Sequence, residues 1–257
     1  MISDTKVVAI GGGTGLSTML KGLKLHTHNI TAVVTVADDG GSSGILRSDL
    51  GMLAPGDVRN CVSALAEVDP VMGELLNFRF KDGSLKGHSL GNLFLAALNE
   101  TSSSFDEAVK KFSHLAGVVG TVYPVTNESV TLSALLEDGR LIEGESHIGV
   151  HHDGPKNGIV KLMVNPEKPK AVDGVIKALE KADIIVLGPG SLYTSIIPNL
   201  LVDGVVDAIK KSNAVKIYVC NIMSQAGETE NYTVSDHLAA IERHSYEGIA
   251  DIVIANN

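Results

Sequence analysis

Tryptophan is absent from this 257-residue chain, aromatic residues make up 4% of it, and cysteine occurs twice. Each shortage excludes something. With five Phe and five Tyr, the chain has too few stacking platforms for a protein that binds single-stranded nucleic acid. Cys61 and Cys220 stand far apart with no Cys-x-x-Cys spacing, so neither a disulfide framework nor a zinc knuckle is supported. No apolar run approaches the roughly 20 residues that a membrane helix needs. Met1 to Thr5 is short and polar and Lys6 leads into a strand-like run, so no secretory leader is read and a cytoplasmic location is expected. Positive charge is also in deficit, with 21 Lys and Arg against 30 Asp and Glu, a formal charge of -9. That balance argues against a protein that coats nucleic acid by neutralising phosphates. A bound anion must then be held by short-range donors, namely backbone N–H groups at helix starts and a few arginines.

Apolar residues and glycine are plentiful, at 44% and 27 residues. The apolar content can bury a large core, expected as a single α/β domain over 1–257. Val7-Val8-Ala9-Ile10 reads as a buried parallel strand, and Leu16, Met19, Leu20 and Leu23 follow at the spacing of one helix face. Ile30 to Val36 reads as a second strand ending in the polar turn Ala37 to Gly44. Helical spacing recurs at Val58, Cys61, Val62 and Leu65 and again at Leu90, Leu93, Phe94, Ala97 and Leu98, and Ser104 with Glu107 forms a capping box. From about 117 to 165 the period shortens: residues 118–125, 129–136, 141–150 and 159–164 read as strands of an inserted antiparallel subdomain. Helix and strand then alternate to the end. This rhythm predicts a three-layer, doubly wound, mostly parallel Rossmann-like sheet with a β-rich insertion.

In such sheets ligands bind beyond the carboxyl ends of the strands. The first strand is followed by Gly11-Gly12-Gly13-Thr14-Gly15, bare of obstructing side chains and leading into a helix, which suits phosphate. Its spacing departs from the dinucleotide fingerprint, since a third glycine is required where Leu16 stands, and the Walker lysine is missing. A tight turn serving only helix packing is the bland alternative. Asp38 and Asp39 follow the second strand, where a ribose-binding acid is expected or where carboxylates and phosphate share Mg²⁺; a solvated Asp-Gly turn competes with both readings. Consecutive side chains diverge, so only one of the two is expected to face a ligand. Gly188-Pro189-Gly190-Ser191 opens a third loop, and Tyr193, Thr194 and Ser195 bring its hydroxyls near. Pro55-Gly56-Asp57-Val58-Arg59-Asn60 and Gly87-His88-Ser89-Leu90-Gly91-Asn92 place charged and polar groups at two helix starts. Asp57 and His88 are the acid–base candidates, against bland readings as an N-cap and a satisfied helix-start histidine. Arg59 offers a phosphate fork, and Asn221 lies in a further polar loop on the same edge. His26-Thr27-His28 and His151-His152-Asp153 are weak metal candidates without a partner cluster.

Taken together, the segments at Gly11, Val36, Pro55, Gly87, Gly188 and Gly227-Glu228-Thr229 resemble the motif set of the bacterial gluconeogenesis factor family, in order and over nearly the whole chain. The resemblance implies a fold shared with 2-phospho-L-lactate transferase, in which an acid at the position similar to Asp57 contacts the deazaflavin. It also implies binding of a UDP-sugar, notably UDP-N-acetylglucosamine, and a part in cell shape and wall-precursor balance during growth on gluconeogenic carbon. Its implied partners are that ligand, a regulatory protein of wall-precursor synthesis and further copies of the chain, with no nucleic acid and no membrane span. No reaction follows from the likeness, which leans toward a non-enzymatic sensor; the alternative is a Mg²⁺-dependent transferase acting on a nucleotide diphosphate. Family members usually continue for several dozen residues beyond Asn257, so a C-terminal tail carrying part of the site is expected to be absent here.

Overall fold

The computed structural model describes residues 3–149 and 158–256. Strand β1 (Val7–Gly11) is buried at every position. A strand with no polar face can lie only inside a sheet covered on both sides. Strands β2 (Ile30–Val34) and β7 (Ile184–Leu187) flank it, both parallel. The sheet continues to β3 (Thr121–Pro124) beyond β2, and to β8 (Val215–Val219) and β9 (Ile252–Ile254) beyond β7. Its order is β3-β2-β1-β7-β8-β9, with every pairing parallel.

Helix α1 (Gly13–Leu23) follows β1 and buries Leu16 and Leu20, two members of the predicted stripe. The crossover from β2 to β3 carries α2 (Gly41–Leu50), α3 (Gly56–Leu65), α4 (Pro70–Asn77), α5 (Leu90–Glu100) and α6 (Phe105–Leu115). Helices α5 and α6 start where Ser89 and Ser104 accept from the N–H groups of Asn92 and Glu107. The return bond of the predicted capping box goes one residue further back, since the Glu107 carboxylate accepts from Ser103 N–H at 2.7 Å. Helix α8 (Asp173–Lys181) precedes β7, α10 (Val205–Lys211) precedes β8 and α11 (Val234–Arg243) precedes β9. Between β7 and α10 lie a five-residue π-helix, Leu192–Ile196, and the short α9 (Ile197–Leu200).

The insertion is a separate three-stranded antiparallel sheet of β4 (Thr131–Leu136), β5 (Leu141–Glu143) and β6 (Ile159–Asn165) in the order β5-β4-β6. Two of its expected limits change. The strand read over 118–125 is β3, which registers Thr121 with Thr31 in the parallel sheet, so antiparallel pairing begins at Thr131 rather than near 117. Alternation marks a strand without saying which strand it pairs with. The strand read over 141–150 ends at Glu143: Gly144 takes φ 94°, and α7 (Glu145–Ile148) turns the chain away. The polar stretch read as a turn at Ala37 to Gly44 is shortened by α2, which starts at Gly41.

The insertion is tied down by two groups, buried Tyr193 and half-buried His244. Tyr193 Oη donates to the Ile159 carbonyl at 3.1 Å. His244 Nε2 accepts from Leu162 N–H at 2.8 Å, and its Nδ1 lies 2.7 Å from the Ala240 carbonyl. This pair of bonds requires the neutral imidazole, and burial, the largest influence, lowers the His244 pKa accordingly. No helix among the described residues is long and apolar enough to cross a membrane.

Candidate functional site

From β1 the chain winds through α1 to β2, whereas β7 and β8 extend the sheet on the opposite side of β1. The loops beyond β1 and β7 therefore part at a topological switch point, where α/β sheets form their ligand crevices. A cleft of about 460 Å³ opens there. One wall is Gly12, Gly13, Thr14 and Gly15; the facing wall is Gly190, Ser191, Thr194 and Ser195.

Close packing decides the residue types of both walls. Gly12 caps α1 in extended backbone with no side-chain cap, and Gly13 turns at φ 65°. A Cβ on Gly12 would lie 2.6 Å from Asp57 Oδ2 and 2.7 Å from Thr35 Cγ2, and one on Gly15 would lie 2.8 Å from the Pro189 carbonyl oxygen. The two glycine loops thus touch backbone to backbone, so part of the bland packing reading holds beside the functional one. First-turn N–H groups of a helix lack intrahelical acceptors. Here the Gly13 N–H donates to the Asp57 carboxylate, and the next two belong to Thr14 and Gly15, which line the cleft.

The Gly188 loop is held rather than free. Gly188 N–H donates to the Ile10 carbonyl at 2.9 Å. Asn221 clasps Gly190, accepting its N–H at 3.2 Å and donating to its carbonyl at 2.8 Å. Asn221 is therefore a positioning residue. Replacing it by Ala is expected to lower the unfolding free energy by about 1 kcal/mol, readable by urea denaturation, and to weaken ligand binding through the loosened loop.

Three carboxylates reach the cleft, Asp38, Asp57 and Glu145, and no Lys, Arg or His among the described residues lines it. Asp38 and Asp39 diverge. Asp38 lines the cleft, with Gly40 N–H on its Oδ1 at 2.9 Å. Asp39 accepts from the N–H groups of Glu145 at 2.9 Å and Ser146 at 2.8 Å, capping α7 and fixing Glu145 against the cleft. Burial pushes the Asp57 carboxyl up to about 6; the Gly13 N–H and Arg59 pull it down, and Asp38 pushes it further up. Burial likewise raises Glu145 to about 7, with Asp38, Asp39, Asp57 and Glu228 adding to the effect. The shared space is short of positive charge.

Arg59, His88 and Asn92 come together, but behind the cleft wall. Arg59 Nε donates to Asn92 Oδ1 at 3.3 Å and its Nη1 to Asn77 Oδ1 at 2.9 Å. Asn92 Nδ2 donates to Ser42 Oγ at 3.1 Å, and that hydroxyl is 2.9 Å from His88 Nδ1. Arg59, His88, Asn92 and Ser42 are buried, Asn77 is exposed, and none of the five is among those lining the cleft. The network braces α2, α3 and α5 beneath the site. Asn60 is half-buried on α3, also outside the lining.

Sequence reasoning did not single out Glu145, which lay inside an expected strand, nor Arg47 and Glu228. Arg47 donates to the carbonyls of Ala37 at 2.9 Å and Asp38 at 3.1 Å, and to that of Val130 at 2.7 Å, joining the aspartate loop to the insertion. Buried Glu228 accepts from Tyr193 N–H at 3.1 Å and is linked through Gln225 to Ser191. The Gly227-Glu228-Thr229 motif was the signal available for it. Among the described residues, no group of three or more His, Cys, Asp or Glu is arranged to hold a metal ion. His26 and His28 are exposed, and His151-His152-Asp153 lies outside the described residues.

Fold and cleft define an α/β protein with a glycine-walled site at the switch point of a parallel sheet. The chain belongs to the family described as 2-phospho-L-lactate transferase CofD, whose profile matches residues 7–257. A relative from Clostridium acetobutylicum is 52% identical over 257 residues, covering 100% of this chain and 57% of its own length. The gluconeogenesis factor of Bacillus subtilis is 46% identical over 255 residues, covering 98% of this chain and 78% of its own. The crystal structure of a member of the UPF0052 family from Bacillus halodurans superposes with a TM-score of 0.95 at 46% identity, over 100% of this chain and 81% of that one. This chain thus spans between about half and four-fifths of the length of the relatives it matches.

Proposed function

We propose that the cleft binds a nucleoside diphosphate sugar of the UDP-N-acetylglucosamine type and that the protein is a cytoplasmic sensor of this ligand. The observation that carries the reading is the start of α1, where Gly12, Gly13 and Gly15 leave the backbone open on a cleft at the switch point. Backbone N–H groups and the helix dipole there favour a phosphate. The three carboxylates oppose a bare diphosphate, so the ligand enters with Mg²⁺. That ion takes one or two carboxylates and completes its shell with phosphate oxygens and water, which suits Asp38 and Asp57 better than a preassembled cage. Glu145 is placed to accept hydrogen bonds from ribose or sugar hydroxyls. Occupancy shifts a two-state equilibrium read by a protein partner in wall-precursor synthesis and by further copies of the chain, which requires unequal affinities for the two states. Cell shape and wall-precursor balance on gluconeogenic carbon are the physiological counterpart.

A second reading, transfer of a phosphoryl-linked group, is favoured by one observation. Asp57 titrates near pH 6, within the range of a working general base. His88 is bonded to Ser42 behind the wall, which leaves Asp57 as the acid–base group of this alternative. Calorimetry with UDP-N-acetylglucosamine, GDP, NAD and ATP, each with and without Mg²⁺, tests both. Saturable, Mg²⁺-dependent binding of the UDP-sugar without its consumption is the expected result. Turnover detected by mass spectrometry sinks the sensor and supports the transferase; absence of binding by every nucleotide sinks both.

A further inference from the structure

The cleft must attract a phosphoryl group while three carboxylates and, among the described residues, no cationic side chain line it. Its side-chain donors are therefore few. Ser191 Oγ donates to Gln225 Oε1 at 2.8 Å, and Thr194 Oγ1 to Glu228 Oε1 at 3.4 Å. Both hydroxyls face neighbours that the loop at Asn221 supplies.

Ser195 differs. It is 8% exposed, it lines the cleft, and its hydroxyl has no partner among the described residues. It sits opposite the start of α1, because a Cβ built on Gly13 would lie 3.7 Å from Ser195 Oγ and one on Gly190 would lie the same distance from it. Its backbone is fixed independently of any ligand. Ser195 N–H donates to the Ser191 carbonyl at 2.9 Å, and its own carbonyl accepts from Asn199 Nδ2 at 2.7 Å. Asn199 also donates to the Gly11 carbonyl at 3.1 Å, which fastens the π-helix to the end of β1. A π-turn at a site re-aims a side chain that a regular helix would place elsewhere. The Ser195 hydroxyl opens on the cleft, so it can donate to a ligand without giving up a bond inside the protein.

We propose that Ser195 is a specificity-determining residue whose hydroxyl donates to a phosphoryl oxygen seated at the start of α1, so that the cleft selects diphosphate-bearing ligands over their unphosphorylated counterparts. This rests on the nucleoside diphosphate reading of the cleft. The hydroxyl is a neutral donor that phosphate can use, facing the α1 start from the opposite wall and adding no further field. Donation to a charged acceptor is among the stronger hydrogen bonds.

The test is calorimetry of UDP and of uridine, both with magnesium chloride, on the wild type, Ser195→Ala and Ser195→Cys. Cys preserves the volume should Ala disturb the π-turn. UDP affinity is expected to fall roughly tenfold to a hundredfold in both variants, with thermal unfolding unchanged and no further loss for uridine. Variants that bind UDP as tightly as the wild type overturn the role of Ser195 while the cleft assignment stands. A wild type that binds neither UDP nor UDP-N-acetylglucosamine overturns the cleft assignment itself.

Discussion

Gly15→Val is expected to abolish ligand binding and to lower the unfolding free energy by about 1–3 kcal/mol, a drop of roughly 3–10 °C in Tm for a chain of this size. The cause is local. A Cβ at Gly15 would meet three backbone atoms of the facing loop, Pro189 O at 2.8 Å, Pro189 C at 3.1 Å and Gly190 N at 3.3 Å. Backbone cannot rotate aside as a flexible side chain can, so the loops must separate. Separation pulls Gly190 against the two bonds of Asn221 and widens the space in which Ser195 faces Gly13. Gly22 provides the internal control, since it lies in the same helix with nothing within 4 Å of its Cβ position. Gly22→Ala removes a weak helix former and is expected to stabilise by up to about 1 kcal/mol with binding intact. Thermal unfolding and calorimetry on the pair read both effects. Equal binding by Gly15→Val and the wild type would falsify the claim that the apposed glycine loops form the site. Gly13 is a poorer probe, because at φ 65° any β-branched residue is strained whatever surrounds it.

The pair of glycines also explains what could be read in advance. Strand β1, the glycine loop and the stripe of α1 are local patterns, in which an all-apolar run, a bare turn and a 3.6-residue period each sit within a dozen residues. The neighbour of β3 is not local: the same alternation serves an antiparallel hairpin or the edge of a parallel sheet, and only packing of the intervening helices selects the second. Helix α2 hides in Gly41-Ser42-Ser43-Gly44, whose composition spells turn. A Cβ on Gly44 would collide with the Asp39 carbonyl oxygen, so a residue read as a turn former is there to let a helix pass under a loop. Arg59 illustrates the opposite error. A guanidinium at a helix start suits phosphate, but its stem lies against Gly91, whose Cβ would meet Arg59 Cδ at 2.9 Å, and its fork serves asparagines. The partners of that side chain come from α5 and the end of α4, well beyond α3 in sequence. Glu145 was beyond reach for the same reason, since its place depends on Asp39, more than a hundred residues earlier.

The crowding of Asp57 and Glu145 sets an expected pH dependence that runs against the usual acid denaturation. Both carboxyls have raised pKa values, about 6 and about 7, so between their ordinary values and these the folded state holds protons that the unfolded chain has released. Stability rises with pH only where the unfolded state binds more protons; here the sign is reversed. The stabilising contribution is fully present below about pH 4, is lost as pH climbs through 6 and 7, and is flat above. Protonation of Asp57 alone corresponds to about 3 kcal/mol over the whole range. Glu145 adds about 1–2 kcal/mol once discounted for its solvent access. Roughly half of the sum falls between pH 5 and 8, so the two carboxyls are expected to take about 2 kcal/mol from the ligand-free protein across that window, read by urea unfolding as the difference from a variant lacking both. The window also lies above the titration of Glu107 and Asp236, whose pKa values are lowered by bonds to Ser103 and Thr233 and whose contributions change only in acid. The double variant Asp57→Asn, Glu145→Gln should lose this falling component, keeping only the rise through the ordinary histidine range that the lowered pKa of His244 produces, and be the more stable protein at pH 8, since it removes two carboxylates that repel each other and Asp38. A double variant with the same slope as the wild type between pH 5 and 8 sinks the account. The same experiment with Mg²⁺ and UDP-N-acetylglucosamine should erase most of the wild-type slope, because a cation and the ligand's hydroxyls stabilise the ionised carboxylates that burial and mutual repulsion oppose.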